Sequence, residues 1–126
     1  MIVIDTSALI AILLSEPEAE RCMAVMASNT ELAISAGTLA EALVVAERRN
    51  IAEQMTILFD QFDIDVLPVA AADARRVGEA YRQWGKGRHP AALNYGDCFA
   101  YAAAKTLSCP LLYVGGDFAR TDLVAA

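Results

Sequence analysis

The chain has 126 residues, 56% of them hydrophobic, and a net charge of −6. That length suits one domain that buries about two thirds of its unfolded surface, and the composition excludes a disordered tail. The acidic balance argues against non-specific nucleic-acid binding by the whole surface, and no apolar run approaches the roughly 20 residues of a bilayer span.

In chain order, Met1 to Ile4 reads as a short buried strand that ends at Asp5, Thr6 and Ser7. Ser7 to Leu14 reads as a buried helix, and Glu18 to Ala27 as a second, with Pro17 in its first turn. Glu31 to Ser35 is a strand, Ala36-Gly37-Thr38 a break, and Leu39 to Arg49 a helix. The spacing of Ile51, Met55, Leu58, Phe59 and Phe62 predicts another helix. Ile64 to Val69 is the third strand, Ala71 to Trp84 a helix, and Gly85 to Pro90 a turn. Asp97 to Lys105 forms a small-residue helix, and Leu111 to Val114 a fourth strand capped by Gly115-Gly116-Asp117. A last short strand is expected near Leu123. Strands alternating with helices predict a single α/β domain over residues 1–126, with a mostly parallel sheet of four to five strands flanked by helices on both faces.

The chemistry gathers in four acids. Asp5 ends the first strand, Glu41 lies in the first turns of the helix after the second, Asp97 starts a helix and Asp117 ends the fourth strand. Each taken alone is an ordinary cap or turn residue. Together, in a parallel sheet, they fall on its carboxyl edge, where open α/β folds place their sites. Two carboxylates about 4 Å apart repel by roughly 4 kcal/mol at an effective dielectric of 20, so the cluster wants a cation or raised pKa values. Oxygen donors without a histidine or cysteine cluster point to Mg²⁺ or Mn²⁺. Such an ion can activate water and offset charge on a phosphodiester.

Other chemistries fit poorly. His89 is the only histidine and has no nucleophile–acid order around it, and no phosphate-binding glycine motif occurs. A phospho-receiver domain would want paired acids after the first strand and a Lys after the last. A haloacid-dehalogenase phosphatase would want an Asp where Ser7 stands. Cys22, Cys98 and Cys109 form no C-x-x-C pair, so they read as core residues of a protein in a reducing cytoplasm. The first residues lack the marks of a secretory signal. Tyr95, Phe99, Tyr101 and Phe118 read as core. Arg75, Arg76, Arg82, Lys86 and Arg88 put five of the ten cationic residues into one short segment. That local basic face suits a phosphate backbone, with Arg82, Lys86 and Arg88 as the candidate RNA contacts.

Four segments carry a family resemblance: MIVIDTSAL at the start, SAGTLAEALVV around Glu41, KGRHPAALNYGDCFAYAAAK around Asp97 and LLYVGGDFARTDL around Asp117. In these the chain resembles the PIN-domain proteins, and specifically VapC-type toxin ribonucleases of type II toxin–antitoxin pairs. The resemblance implies that Asp5, Glu41, Asp97 and Asp117 form an acidic quartet that cleaves single-stranded RNA with Mg²⁺ or Mn²⁺. It makes Asp5 and Asp97 the principal metal ligands, with Thr6, Ser7, Asn94 and Thr121 as supporting polar positions. It also implies a cognate small antitoxin protein, and the apolar content adds the expectation of a homodimer. Gly116 departs from the family pattern, which commonly has an acid there. The alternative is a PIN fold kept as a binding module without toxin activity. The string GGDF, a signature of diguanylate cyclases, is accidental in so short a chain.

Overall fold

A computed structural model describes residues 1–126. Its sheet has four parallel strands in the order β3-β2-β1-β4: β1 (Ile2–Ile4), β2 (Leu32–Ser35), β3 (Ile64–Leu67) and β4 (Leu111–Leu112). The helices are α1 (Thr6–Leu13), α2 (Ala19–Ala27), α3 (Ala36–Arg48), α4 (Ala52–Gln61), α5 (Ala71–Trp84) and α6 (Tyr95–Leu107), with a 3-10 turn at Phe118–Arg120. No helix is long and apolar enough to cross a membrane.

Alternation along the strands divides the core between the two faces. Ile2 and Ile4 pack on one side with residues of α1 to α4, among them Leu9, Met26, Ala42 and Met55. Val3 and Leu111 pack on the other with Ala80 of α5 and Cys98, Tyr101 and Ala104 of α6. The helices cover both faces, as expected. After β1 the chain moves outward to β2 and β3, then returns to β4 on the far side of β1. That reversal sets the carboxyl ends of β1 and β4 beside a crevice, the usual ligand position of open α/β sheets.

Several boundaries differ from expectation for identifiable reasons. No break interrupts residues 36–38: the Ser35 side chain accepts from the Gly37 amide and starts α3 at Ala36. Gly37 stays in the helix because a Cβ there would overlap the Phe99 ring of α6. The helix expected from Asp97 begins at Tyr95, with Asn94 and Asp97 forming a reciprocal capping box. Pro17 lies outside α2, which begins at Ala19. β3 stops at Leu67, since Pro68 has no N–H for the ladder. β4 stops at Leu112 because the Val114 amide turns to the Ser7 hydroxyl instead. The strand expected near Leu123 reduces to one parallel bridge between Leu111 and Ala125.

Candidate active site

Asp5 is 3% exposed. It serves as the N-cap of α1 and does more than cap. Its Oδ2 accepts from the Ser7 amide at 3.0 Å and the Ser7 hydroxyl at 2.6 Å. Its Oδ1 is buried with no hydrogen-bond partner. Ser7 is held in turn: its Oγ accepts from the Val114 amide at 3.0 Å, tying α1 to the chain after β4. Burial pushes the Asp5 carboxyl up to about 6; the two Ser7 bonds oppose this, and the charges of Asp97 and Glu41 add to it.

Glu41 comes from α3, with its Oε1 accepting from the Thr6 hydroxyl at 2.7 Å. The same hydroxyl lies 3.3 Å from the Thr38 carbonyl, so α1 fixes the rotamer of a carboxylate 35 residues away. A Cβ on Gly96 would overlap Glu41 Oε2. Gly96 therefore leaves room for the Glu41 carboxylate to stay on the Thr6 hydroxyl. Asp97 sits in the first turn of α6, where its Oδ2 accepts from the Asn94 amide at 3.0 Å and its own amide donates to Asn94 Oδ1 at 2.8 Å. Burial raises its pKa first, the Asn94 bond lowers it, and the charges of Asp117 and Glu41 raise it again.

Asp5, Thr6, Ser7, Glu41 and Asp97 line one cleft at the sheet's carboxyl edge. Asp117, expected with them, is exposed and does not line the cleft; it bears on it only through its charge on Asp97. Glu16, beyond the end of α1, also lines the cleft. Nothing in its local sequence marks it, since only the packing of α1 carries it there. Thr121 belongs elsewhere: its hydroxyl donates to the Phe118 carbonyl and accepts from the Leu123 amide, so it supports the carboxyl-terminal turn. Asp122 anchors that same segment, taking bonds from the Tyr101 hydroxyl at 2.7 Å and Lys105 at 2.9 Å. Tyr101 accepts from Trp84 Nε1 at 2.8 Å. His89 packs edge-on against Trp84 and accepts from the Ala91 amide through Nδ1, a structural role.

Arg82, Lys86 and Arg88 are all exposed. Arg82 reaches Glu79 only at 3.9 Å, between two largely exposed side chains, a pairing of little energetic weight. Arg76 pairs with Asp73 instead. Tyr101 and Phe118 are buried as expected, but Tyr95 is 74% exposed. As the first residue of α6 it points away from the core that its helix supplies from Cys98 onward.

The donor set suits a hard divalent ion. Asp5 Oδ1 is a desolvated carboxylate oxygen without a partner, beside a second carboxylate whose charge it feels. No three acidic, histidine or cysteine side chains converge on a common point. Mg²⁺ does not require that, being held by one or two carboxylates with water and phosphate oxygens in its remaining positions.

Residues 2–124 match the PIN domain family model. The chain belongs to the PIN-domain family, and to the VapC-type group within it. It is 44% identical over 124 residues to ribonuclease VapC30 of Mycobacterium tuberculosis, a match covering 96% of this chain and 95% of that one. It is 40% identical over 126 residues to ribonuclease VapC of Mycolicibacterium smegmatis, covering 98% of each. Among solved structures it shares its fold with Mycobacterium tuberculosis VapC20, described as a sarcin–ricin loop cleaving toxin. The TM-score is 0.78 at 19% identity, over 100% of this chain and 98% of that one. A toxin–antitoxin complex from Klebsiella pneumoniae superposes with a TM-score of 0.75 at 20% identity, over 100% and 97% of the two chains.

Proposed function

We propose that this protein is a Mg²⁺- or Mn²⁺-dependent endoribonuclease that cuts single-stranded RNA as the toxin of a type II toxin–antitoxin pair, inhibiting translation and growth in the cytoplasm. The observation that carries the chemistry is the buried, unpartnered Oδ1 of Asp5 in a cleft shared with Glu41 and Asp97. The ribonuclease names of relatives at 40% identity and above support the activity. The toxin–antitoxin complex sharing the fold supports a protein partner.

Asp5 and Asp97 would hold the ion, which when bound supplies positive charge against the phosphodiester and favours ionisation of a water. Ser7 fixes one Asp5 oxygen and leaves the other unbonded. Glu41, oriented by Thr6, would complete the pocket and orient the attacking water, accepting its proton. Asn94 holds Asp97 against the start of α6, and the charge of Asp117 acts on Asp97. A homodimer and a small antitoxin complete the reading. An antitoxin Arg entering the cleft would pair with Asp5 or Asp97 in the ion's place.

The test is cleavage of a fluorogenic single-stranded RNA by the wild type and by Asp97→Asn, with Mg²⁺ and with EDTA. Loss of activity in both EDTA and the variant is expected, with the fold retained by circular dichroism. Full activity in either refutes the mechanism. Sedimentation near twice the 13.5 kDa chain mass checks the dimer, and co-expression with the adjacent small gene should yield an inactive complex. A monomer that captures nothing and does not slow growth when expressed would favour the binding-module alternative.

A further inference from the structure

We infer that the groove between α5 and the start of α6 is a substrate subsite, in which the nucleotide next to the scissile phosphate stacks its base on Tyr95 and places its phosphate at Lys86. This rests on the ribonuclease reading and adds to it a site for the bound strand. The groove is lined by Val77, Gly78, Tyr81, Lys86, Tyr95 and Cys98, together with Asn94, whose side chain caps the helix bearing Asp97. A strand lying over the start of α6 thus passes from the acidic cleft to this groove across Asn94.

Three features favour a nucleotide as occupant. Tyr95 leaves most of a large aromatic ring in solvent, yet the ring is steadied by Phe99, 5.0 Å away at 87°. A fixed, exposed aromatic face is what single-stranded RNA binders offer to bases. Lys86 is the one charged residue lining the groove, is exposed and makes no ion pair. Its backbone is fixed by bonds from the Tyr81 hydroxyl to its carbonyl and from its own amide to the Leu93 carbonyl. On a chain of net charge −6, an unpaired cation lining the same groove as Asn94 complements a phosphate. Gly78 supplies the third feature. It stands in the middle of α5, where glycine weakens a helix, and a Cβ added there meets nothing within 4 Å. Packing does not require this glycine; its effect is to keep the groove open.

Binding of a labelled single-stranded RNA by fluorescence anisotropy, with Mg²⁺ and in the uncut Asp97→Asn background, tests the subsite. Tyr95→Ala should weaken binding roughly five- to hundredfold, the range for loss of one stacked base, while Tyr95→Phe stays near the parent. Gly78→Leu should also weaken binding, because it puts a side chain into the groove at a position where the added Cβ is free of contacts, and a melting curve shows that the variant is folded. Lys86→Gln should reduce the slope of log affinity against log salt by about 0.7. Affinities within about twofold of the parent for both Tyr95→Ala and Gly78→Leu overturn the subsite; if the same variants shift the sedimenting mass, the groove is a protein contact instead. A parent that binds no RNA overturns the ribonuclease reading as well. A wild type that cleaves RNA beside variants that bind normally overturns the subsite alone.

Discussion

Metal-free protein should become more stable as the pH falls from 7 to about 4.5, and Asp5→Asn should remove most of that gain. Burial, with the charges of Asp97 and Glu41 behind it, raises Asp5 from 3.8 to about 6 in the fold. The unfolded chain releases that proton near the lower value, so between the two the native state binds more protons. Stability then falls as pH rises. The contribution is fully present below about 4 and is lost as the pH passes through 6. A shift of about two units corresponds to about 3 kcal/mol in full, of which about 2 kcal/mol falls between pH 7 and 4.5, a sizeable part of the 5–15 kcal/mol typical of a domain and on the order of 10 °C in Tm. Asp97, also raised, adds to the same trend. Asparagine caps a helix as well as aspartate does, so the variant keeps the start of α1; its NH2 takes the buried, unpartnered Oδ1 position at a pH-independent cost, and the slope against pH reads the lost titration. Urea denaturation followed by circular dichroism at pH 4.5, 5.5 and 7 in EDTA reads the effect. Adding Mg²⁺ at pH 7 should recover about 2.7 kcal/mol at a hundredfold excess over its Kd, and much less at pH 4.5, where the proton competes for the same oxygen. Stability that is flat or rising with pH over this window in the wild type, or an equal slope in Asp5→Asn, refutes the reasoning.

Gly96→Ala should lower kcat/KM on RNA at least about tenfold with little change in stability, because its methyl would displace the mobile end of the Glu41 side chain rather than packed backbone; steady-state kinetics beside a melting curve check this. Ser7→Ala removes a donor from Asp5 and the acceptor of the Val114 amide. It should destabilise by about 1–3 kcal/mol and move the pH midpoint of stability upward, since a bond that lowers the Asp5 pKa is gone. Tyr101→Phe strands Trp84 Nε1–H and takes a donor from Asp122. It should cost about 1–3 kcal/mol by denaturation and leave cleavage of RNA unchanged, as this network holds the carboxyl-terminal segment rather than the cleft.

The alternation of apolar strands with amphipathic helices is a local property, and it carried the element order, the parallel sheet and the covering of both faces. The acid at the end of β1 was equally legible, since Asp5 follows its strand directly in space as in sequence, whereas Asp117 lies five residues past the end of β4 and is exposed. Boundaries moved where a side chain took up a backbone amide at the start of a helix. Ser35 extended α3 over a glycine that sequence alone reads as a break, and the Asn94–Asp97 pair began α6 two residues early. Only the tertiary structure decided which residues share the site. Glu41 is oriented by a threonine 35 positions away, Glu16 enters the cleft with the end of α1, and Gly96 is defined by the carboxylate it must clear. Packing likewise drew Thr121 into a turn and left Tyr95 in solvent. Residue type states what a side chain can do; its neighbours across the sheet and between helices determine what it meets, and local sequence does not encode those neighbours.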